Sequence, residues 1–152
     1  MQKSELSLSD EWETPKELYD HLCEKYKIHP QLDVCCNKQN KKCDYGIFDN
    51  ALERDWIVPY DFEVDIIWCN PPHSLNKEFV KRAYDQWVKH NITIMMILPA
   101  NTLCTNYAEN WISPFAEYHP INRGFCKFLH EGKALDHSRN GYFVIIWRKH
   151  EE

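Results

Sequence analysis

Glycine is scarce in this chain, with four in 152 residues: Gly46, Gly124, Gly132 and Gly141. No G-x-G follows the first strand candidate, so the glycine cradle of a dinucleotide-binding turn is missing. That argues against a cofactor held by its phosphates. Also missing is any C-x-x-C pair among the seven cysteines (23, 35, 36, 43, 69, 104 and 126). Structural zinc sites usually carry one, so no metal site is expected. The cysteine count is odd and several lie in apolar runs, which points to buried thiols in a reducing compartment. No apolar run reaches ~18 residues and Met1 to Leu6 shows no signal region, so no membrane span is expected and the location reads as cytoplasmic. A basic surplus is lacking too: Lys+Arg 18 stand against Asp+Glu 23, net −5. This weighs mildly against a nucleic-acid partner and leaves room only for a local basic rim. Lys77, Lys81, Arg82, Lys89 and His90 would form one, unless they are the solvated face of a helix.

What is present suffices for one domain over residues 1–152, with residues 1–10 as a flexible polar lead-in. At 43% hydrophobic and 14% aromatic the chain can bury a core. Its organising stretch is Val64 to Ser74, where the apolar run Ile66-Ile67-Trp68-Cys69 stops at Asn70-Pro71-Pro72-His73. A short apolar run bounded by proline reads as a buried strand ending in a rigid turn. Each proline restricts the residue before it, and neither has an N–H, so the turn presents acceptors there. Those groups suit transfer to an exocyclic amine of adenine, whose lone pair is delocalised into the ring. Two acceptors, the Asn70 side-chain oxygen and the Pro71 carbonyl, would take its two N–H bonds and favour a pyramidal nitrogen. The His73 ring would stack on the base. An ordinary strand-ending turn would look the same.

Elsewhere the chain alternates helix and strand signals. Thr14-Pro15-Lys16-Glu17 predicts a helix start, with Thr14 as cap and Pro15 in the first turn, running to about Tyr26. The same helix N-terminus is also suited to receive a carboxylate. Gln31 to Cys36 is a short strand candidate containing Asp33, followed by a polar loop over 37–42. Phe48 to Trp56 carries Asp49 and Asp55 beside aromatic residues. A wide apolar stripe predicts a helix from Asn76 to Lys89, and Ile92 to Leu98 reads as a strand buried on both faces. Strand, helix and strand there form a crossover unit. Thr105 to Trp111 reads as a short helix, Ile121 to Phe128 and Tyr142 to Trp147 as final strands, with a charged loop over Glu131 to Asn140. In such open α/β sheets ligands lie beyond the carboxyl ends of the strands, where Asp33–Cys36, Asn70–His73 and Pro99–Thr102 fall.

Five segments in this order resemble the small phage-type, Dam-like DNA N-6-adenine methyltransferases. They are Trp12-Glu13-Thr14-Pro15, Leu32-Asp33-Val34-Cys35, Asp49 with Asp55-Trp56, Asn70-Pro71-Pro72-His73 and Leu98-Pro99-Ala100, and Arg123-Gly124 with Lys127-Phe128 adds a sixth. The resemblance implies a small, truncated Rossmann-like methyltransferase fold, a mostly parallel sheet with flanking helices. It implies S-adenosylmethionine, which has no phosphates, as donor and a flipped adenine in duplex DNA as acceptor. By position, Asn70, Pro71, Pro72 and His73 would hold the base. Trp12, Thr14, Pro15, Asp33 and Cys35 would meet the cofactor, with Asp49 or Asp55 on its ribose or adenine. Ser74, Lys77, Asn101, Thr102 and Arg123 would meet the remaining substrate. A phage- or prophage-encoded protein acting in the host cytoplasm follows, with a homodimer or a partner protein as further options.

Two departures stand out: His73 replaces the usual Tyr, Phe or Trp, and Asp49-Asn50-Ala51 replaces Asp-Asp-Gly. Two other functions fit the same residues. One is methylation of a protein glutamine amide, which suits the acidic charge; the other is an inactive relative that only binds DNA or a partner.

Overall fold

A computed structural model describes residues 13–57, 63–122, 129–130, 133–134 and 141–151. The lead-in, Trp12, Arg123 and the 123–128 segment lie outside the described residues. Among the described residues, six strands form one sheet in the order β2-β1-β3-β4-β8-β5. The strands are β1 (Leu32–Asp33), β2 (Tyr45–Gly46), β3 (Ile66–Cys69), β4 (Thr93–Pro99), β5 (Glu117–Ile121) and β8 (Tyr142–Trp147). β2, β1, β3 and β4 run parallel, while β8 and β5 are added antiparallel. The helices are α1 (Lys16–Tyr26), α2 (Asn76–His90) and α3 (Asn106–Trp111).

Two cores explain why β4 and β8 are almost continuously apolar. Met95, Ile97, Val144 and Ile146 alternate onto the face packed by Leu18, Tyr19 and Leu22 of α1. Ile94, Met96, Leu98, Ile145 and Trp147 turn to the other face, under Phe79, Val80 and Ala83 of α2 and Ala108 of α3. A strand covered on both sides needs apolar residues at every position. The result is a three-layer α/β/α architecture.

Several sequence expectations shift. Thr14 does not cap α1: Pro15 occupies the cap position and no side chain caps the helix. Instead Thr14 is buried and its hydroxyl has no hydrogen-bond partner. Most of the strand expected over Ile121 to Phe128 lies outside the described residues, while one that the sequence did not mark forms at Glu117–Ile121. As an edge strand it buries little, and its polar residues and Pro120 hid it from periodicity. Within the expected charged loop, Lys133–Ala134 (β7) pairs with Leu129–His130 (β6); the rest of that loop lies outside the described residues. β2 had no sequence signal, being two residues long. A side chain at Gly46 would bring its Cβ within 2.7 Å of the Cys36 sulfur, so β2 packs this closely only with glycine.

Candidate active site

The chain steps from β1 outward to β2, then returns to the far side of β1 as β3. The boundary between β1 and β3 is therefore a topological switch point, where open α/β sheets take ligands. At the carboxyl edge, β1 ends in Asp33, β3 runs into Asn70 and β4 ends in Pro99. Antiparallel pairing of Pro99 with Tyr142 brings the start of β8 to this edge as well.

Beyond β3 the two prolines are buried and Asn70 and His73 are half-buried. The Leu75 N–H donates to the Pro72 carbonyl at 2.9 Å, closing a 3-10 turn over His73–Leu75 that leads straight into α2. Thus the Pro72 carbonyl is engaged in the turn, and the rigid dipeptide fixes where Asn70 and the Pro71 carbonyl stand. The His73 ring lies 5.9 Å from that of Tyr142, tilted by 39°. Tyr142 is buried at this edge, so His73 rests on an aromatic floor.

A polar groove of ≈ 270 Å³ opens beside His73. It is lined by Ser74, Asn76 and Lys77 from the chain after β3, and by Asn101, Thr102, Thr105 and Tyr107 from the chain after β4. The second of these stretches is held by Thr105, whose hydroxyl donates to the Thr102 carbonyl at 2.6 Å and accepts from the Ala108 N–H at 3.2 Å. His73, Ser74, Lys77, Asn101 and Thr102, singled out from sequence, thus share one groove. Sequence reasoning missed Asn76, Thr105, Tyr107 and Tyr142. Asn76 and Thr105 read as helix ends and Tyr142 as a strand start; only the packing brings them here.

On the β1 side, Asp33 is almost wholly buried. Its carboxylate accepts from the Cys35 N–H at 3.2 Å and the Lys42 N–H at 3.0 Å, which pins the loop after β1. Cys35 therefore contributes its backbone to holding Asp33. Burial pushes the Asp33 carboxyl up to about 6, with those two bonds pulling the other way. The Cys69 thiol, fully buried at the end of β3, is also raised by burial.

This carries a pH signature. An acid whose folded pKa lies above its unfolded value holds its proton more tightly when folded. Its contribution is present below the ordinary carboxylate range and lost as pH rises through about 6. The stability of wild type relative to Asp33→Asn should therefore rise by ~2 kcal/mol between pH 7.5 and 4.5. Denaturant titrations at both pH values check it, and a pH-independent difference would rule it out.

The acids of the 48–56 segment part company. The Ile47 N–H donates to the Asp33 carbonyl at 2.8 Å, so the chain leaves β2 at the carboxyl edge and exposes Asp49 there. Asn50 next to it takes φ 61°, a left-handed conformation that asparagine tolerates well. Asp55 instead pairs with Lys89 at 2.9 Å and His90 at 2.8 Å, in the last turn of α2. Burial would raise its carboxyl, but bonds from Lys89 and His90 outweigh that and hold it at about 2. Helix α2 starts beside His73 and its 15 residues span about 22 Å, so Asp55 lies at the opposite edge of the sheet.

The same pairing accounts for the basic residues of α2. Lys89 and His90 hold Asp55, Lys81 pairs with Asp85 at 2.7 Å, and Arg82 donates to the Leu52 carbonyl. Of the five cations considered from sequence, Lys77 is the one that lines the groove.

Comparison with known proteins places this architecture. A dimethyladenosine transferase from Plasmodium falciparum shares the fold, with a TM-score of 0.53 at 11% identity, covering 91% of this chain and 62% of that one. The fold is thus the Rossmann-like methyltransferase sheet. The family model described as DNA N-6-adenine-methyltransferase (Dam) matches residues 2–152. A DNA N-6-adenine-methyltransferase of Escherichia phage T1 is 30% identical over 165 residues, covering 96% of this chain and 66% of that protein. One of Haemophilus phage HP1 (strain HP1c1) is 35% identical over 102 residues, covering 64% of this chain and 56% of that protein. The chain belongs to the DNA N-6-adenine-methyltransferase (Dam) family, and spans about two thirds or less of the length of these two relatives. No helix among the described residues is long and apolar enough to cross a membrane.

Proposed function

We propose that the chain transfers a methyl group from S-adenosylmethionine to the exocyclic amine of adenine in DNA. The observation that carries this reading is the Asn70–His73 turn, fixed by buried prolines at the switch-point edge of a methyltransferase fold. Asn70 and the Pro71 carbonyl accept the two N–H bonds of the amine and favour the pyramidal, nucleophilic nitrogen. The His73 ring, backed by Tyr142, stacks on a base flipped out of the duplex, since the amine cannot be reached within the stack. After transfer the surplus amine proton passes to solvent.

The β1 side of this edge fits the donor. A buried, unpartnered Thr14 hydroxyl, the Asp33 carboxylate and an exposed acid after β2 are polar groups suited to an amino acid joined to a ribose. The absence of a glycine cradle agrees with a cofactor that has no phosphates. S-adenosylmethionine would supply a methyl on a positively charged sulfur. Thr14, Pro15 and Asp33 would hold its amino-acid end, and Asp49 rather than Asp55 its ribose. Trp12 and Arg123 keep the roles that the family resemblance implies. Methyl-labelled S-adenosylmethionine, offered with duplex DNA and separately with a glutamine-containing protein, tests the reading. Label in DNA adenine supports it; label in protein alone, or none, overturns it.

His73 gives a graded check. Stacking on one aromatic side chain is worth about 1–3 kcal/mol, and imidazole belongs at the low end. His73→Ala should slow DNA methylation about tenfold, while His73→Tyr keeps or raises the rate. Initial rates of the three proteins decide; an unchanged His73→Ala would reduce the ring to part of a turn.

A further inference from the structure

Asn76 opens α2 on the wall of the groove and is more than nine-tenths buried. Its backbone N–H is engaged with the His73 carbonyl, but its side-chain oxygen has no hydrogen-bond partner. A buried amide oxygen left unpaired is costly, and such groups call for an explanation. A half turn about its last torsion exchanges oxygen and nitrogen. An amide whose oxygen no protein group holds can therefore turn either a donor or an acceptor to the groove. Tyr107, half-buried on α3, lines the same groove, as does Lys77, which is exposed and forms no ion pair among the described residues. An aromatic face, an unclaimed amide and a lone cation are what one nucleotide asks for: stacking, base-edge hydrogen bonds and a phosphate contact.

Resting on the methyltransferase reading above, we propose that this groove holds the nucleotide adjacent to the target adenine. Tyr107 stacks on its base, the Asn76 amide reads its edge, and Lys77 meets its phosphate. His73 lines the same groove, so the neighbouring nucleotide lies next to the clamped base without a gap. Asparagine pairs best with adenine, donating to N7 and accepting from the exocyclic amine, so adenine is the favoured neighbour. Asn76 then acts as a specificity-determining residue.

The test is methylation of a duplex library randomised around a fixed adenine, with methylated products sequenced to give the base preference at each neighbouring position. Wild type should favour adenine at one adjacent position. Asn76→Ala should flatten that preference by about fivefold or more while methyl transfer continues. Asn76→Asp, close in shape and acceptor-only, should shift it toward cytosine, whose amine a carboxylate accepts. Lys77→Ala should lower binding evenly across all sequences and reduce the salt slope by about one. Melting curves identify variants that fold, and the conclusion is drawn from those. A folded Asn76→Asp or Asn76→Ala with the wild-type preference overturns the inference, as does a wild type without any neighbour preference; both leave adenine methylation standing. Absence of label from DNA with wild type overturns both readings together.

Discussion

Asn70→Ala is expected to lower methyl transfer to DNA by about 10²–10³-fold while leaving the fold and the cofactor affinity nearly unchanged. The argument rests on where the energy of this contact appears. A hydrogen bond from the adenine amine to the Asn70 oxygen strengthens as the nitrogen becomes pyramidal, so it stabilises the transition state more than the bound substrate. Preorganisation comes from the buried Pro71 and Pro72 and from the turn closed by the Leu75 N–H, none of which the substitution touches. Asn70 itself is only half-buried, so its truncation creates no cavity of note. The opposite expectation belongs to a residue that merely finishes a strand: about 1 kcal/mol of lost stability and normal turnover. Melting curves, cofactor titration and methyl incorporation on the two purified proteins separate them. A stable Asn70→Ala chain methylating DNA at the wild-type rate would falsify the clamp.

Trp56→Ala should cost about 3–5 kcal/mol of stability, the range seen when a fully buried aromatic side chain is truncated. Trp56 has no exposed surface, its indole N–H donates to the Ala51 carbonyl at 2.8 Å, and its backbone N–H donates to the Gln86 side chain at 2.9 Å. With Asp55 bound to Lys89 and His90 and the Leu52 carbonyl to Arg82, the segment is bolted to α2 at four points. Trp56→Phe keeps most of the apolar contact but strands the Ala51 carbonyl, and should lose less. Denaturant midpoints at constant slope measure both effects. A Trp56→Ala chain of normal stability that no longer binds cofactor would move this segment from scaffold to site.

These contrasts show what could be read from the residues. The strands Ile66–Cys69 and Tyr142–Trp147 and the helix from Asn76 carried strong patterns, because their burial is dense and periodic. β2 and β5 did not, being short or at an edge, where few side chains are buried. Thr14 carried the signature of a helix cap, yet the helix begins after Pro15 and the hydroxyl is buried without a partner. Local propensity there yielded to the packing of α1 on the sheet.

The same division holds at the site. By itself the sequence determined the turn after β3, since Asn-Pro-Pro-His restricts its own backbone and offers acceptors wherever it is placed. It also determined the alternation of helix and strand, and the lack of a phosphate cradle. Only the tertiary structure put Asp49 at the carboxyl edge and Asp55 at the opposite one, because their separation across the sheet depends on which residues of α2 the loop meets. Only it put Tyr142 under His73, through an antiparallel pairing 43 positions beyond Pro99 in the chain. And only it left the Asn76 side-chain oxygen without a partner beside a groove, since an unmet hydrogen bond is a property of surroundings and not of a residue.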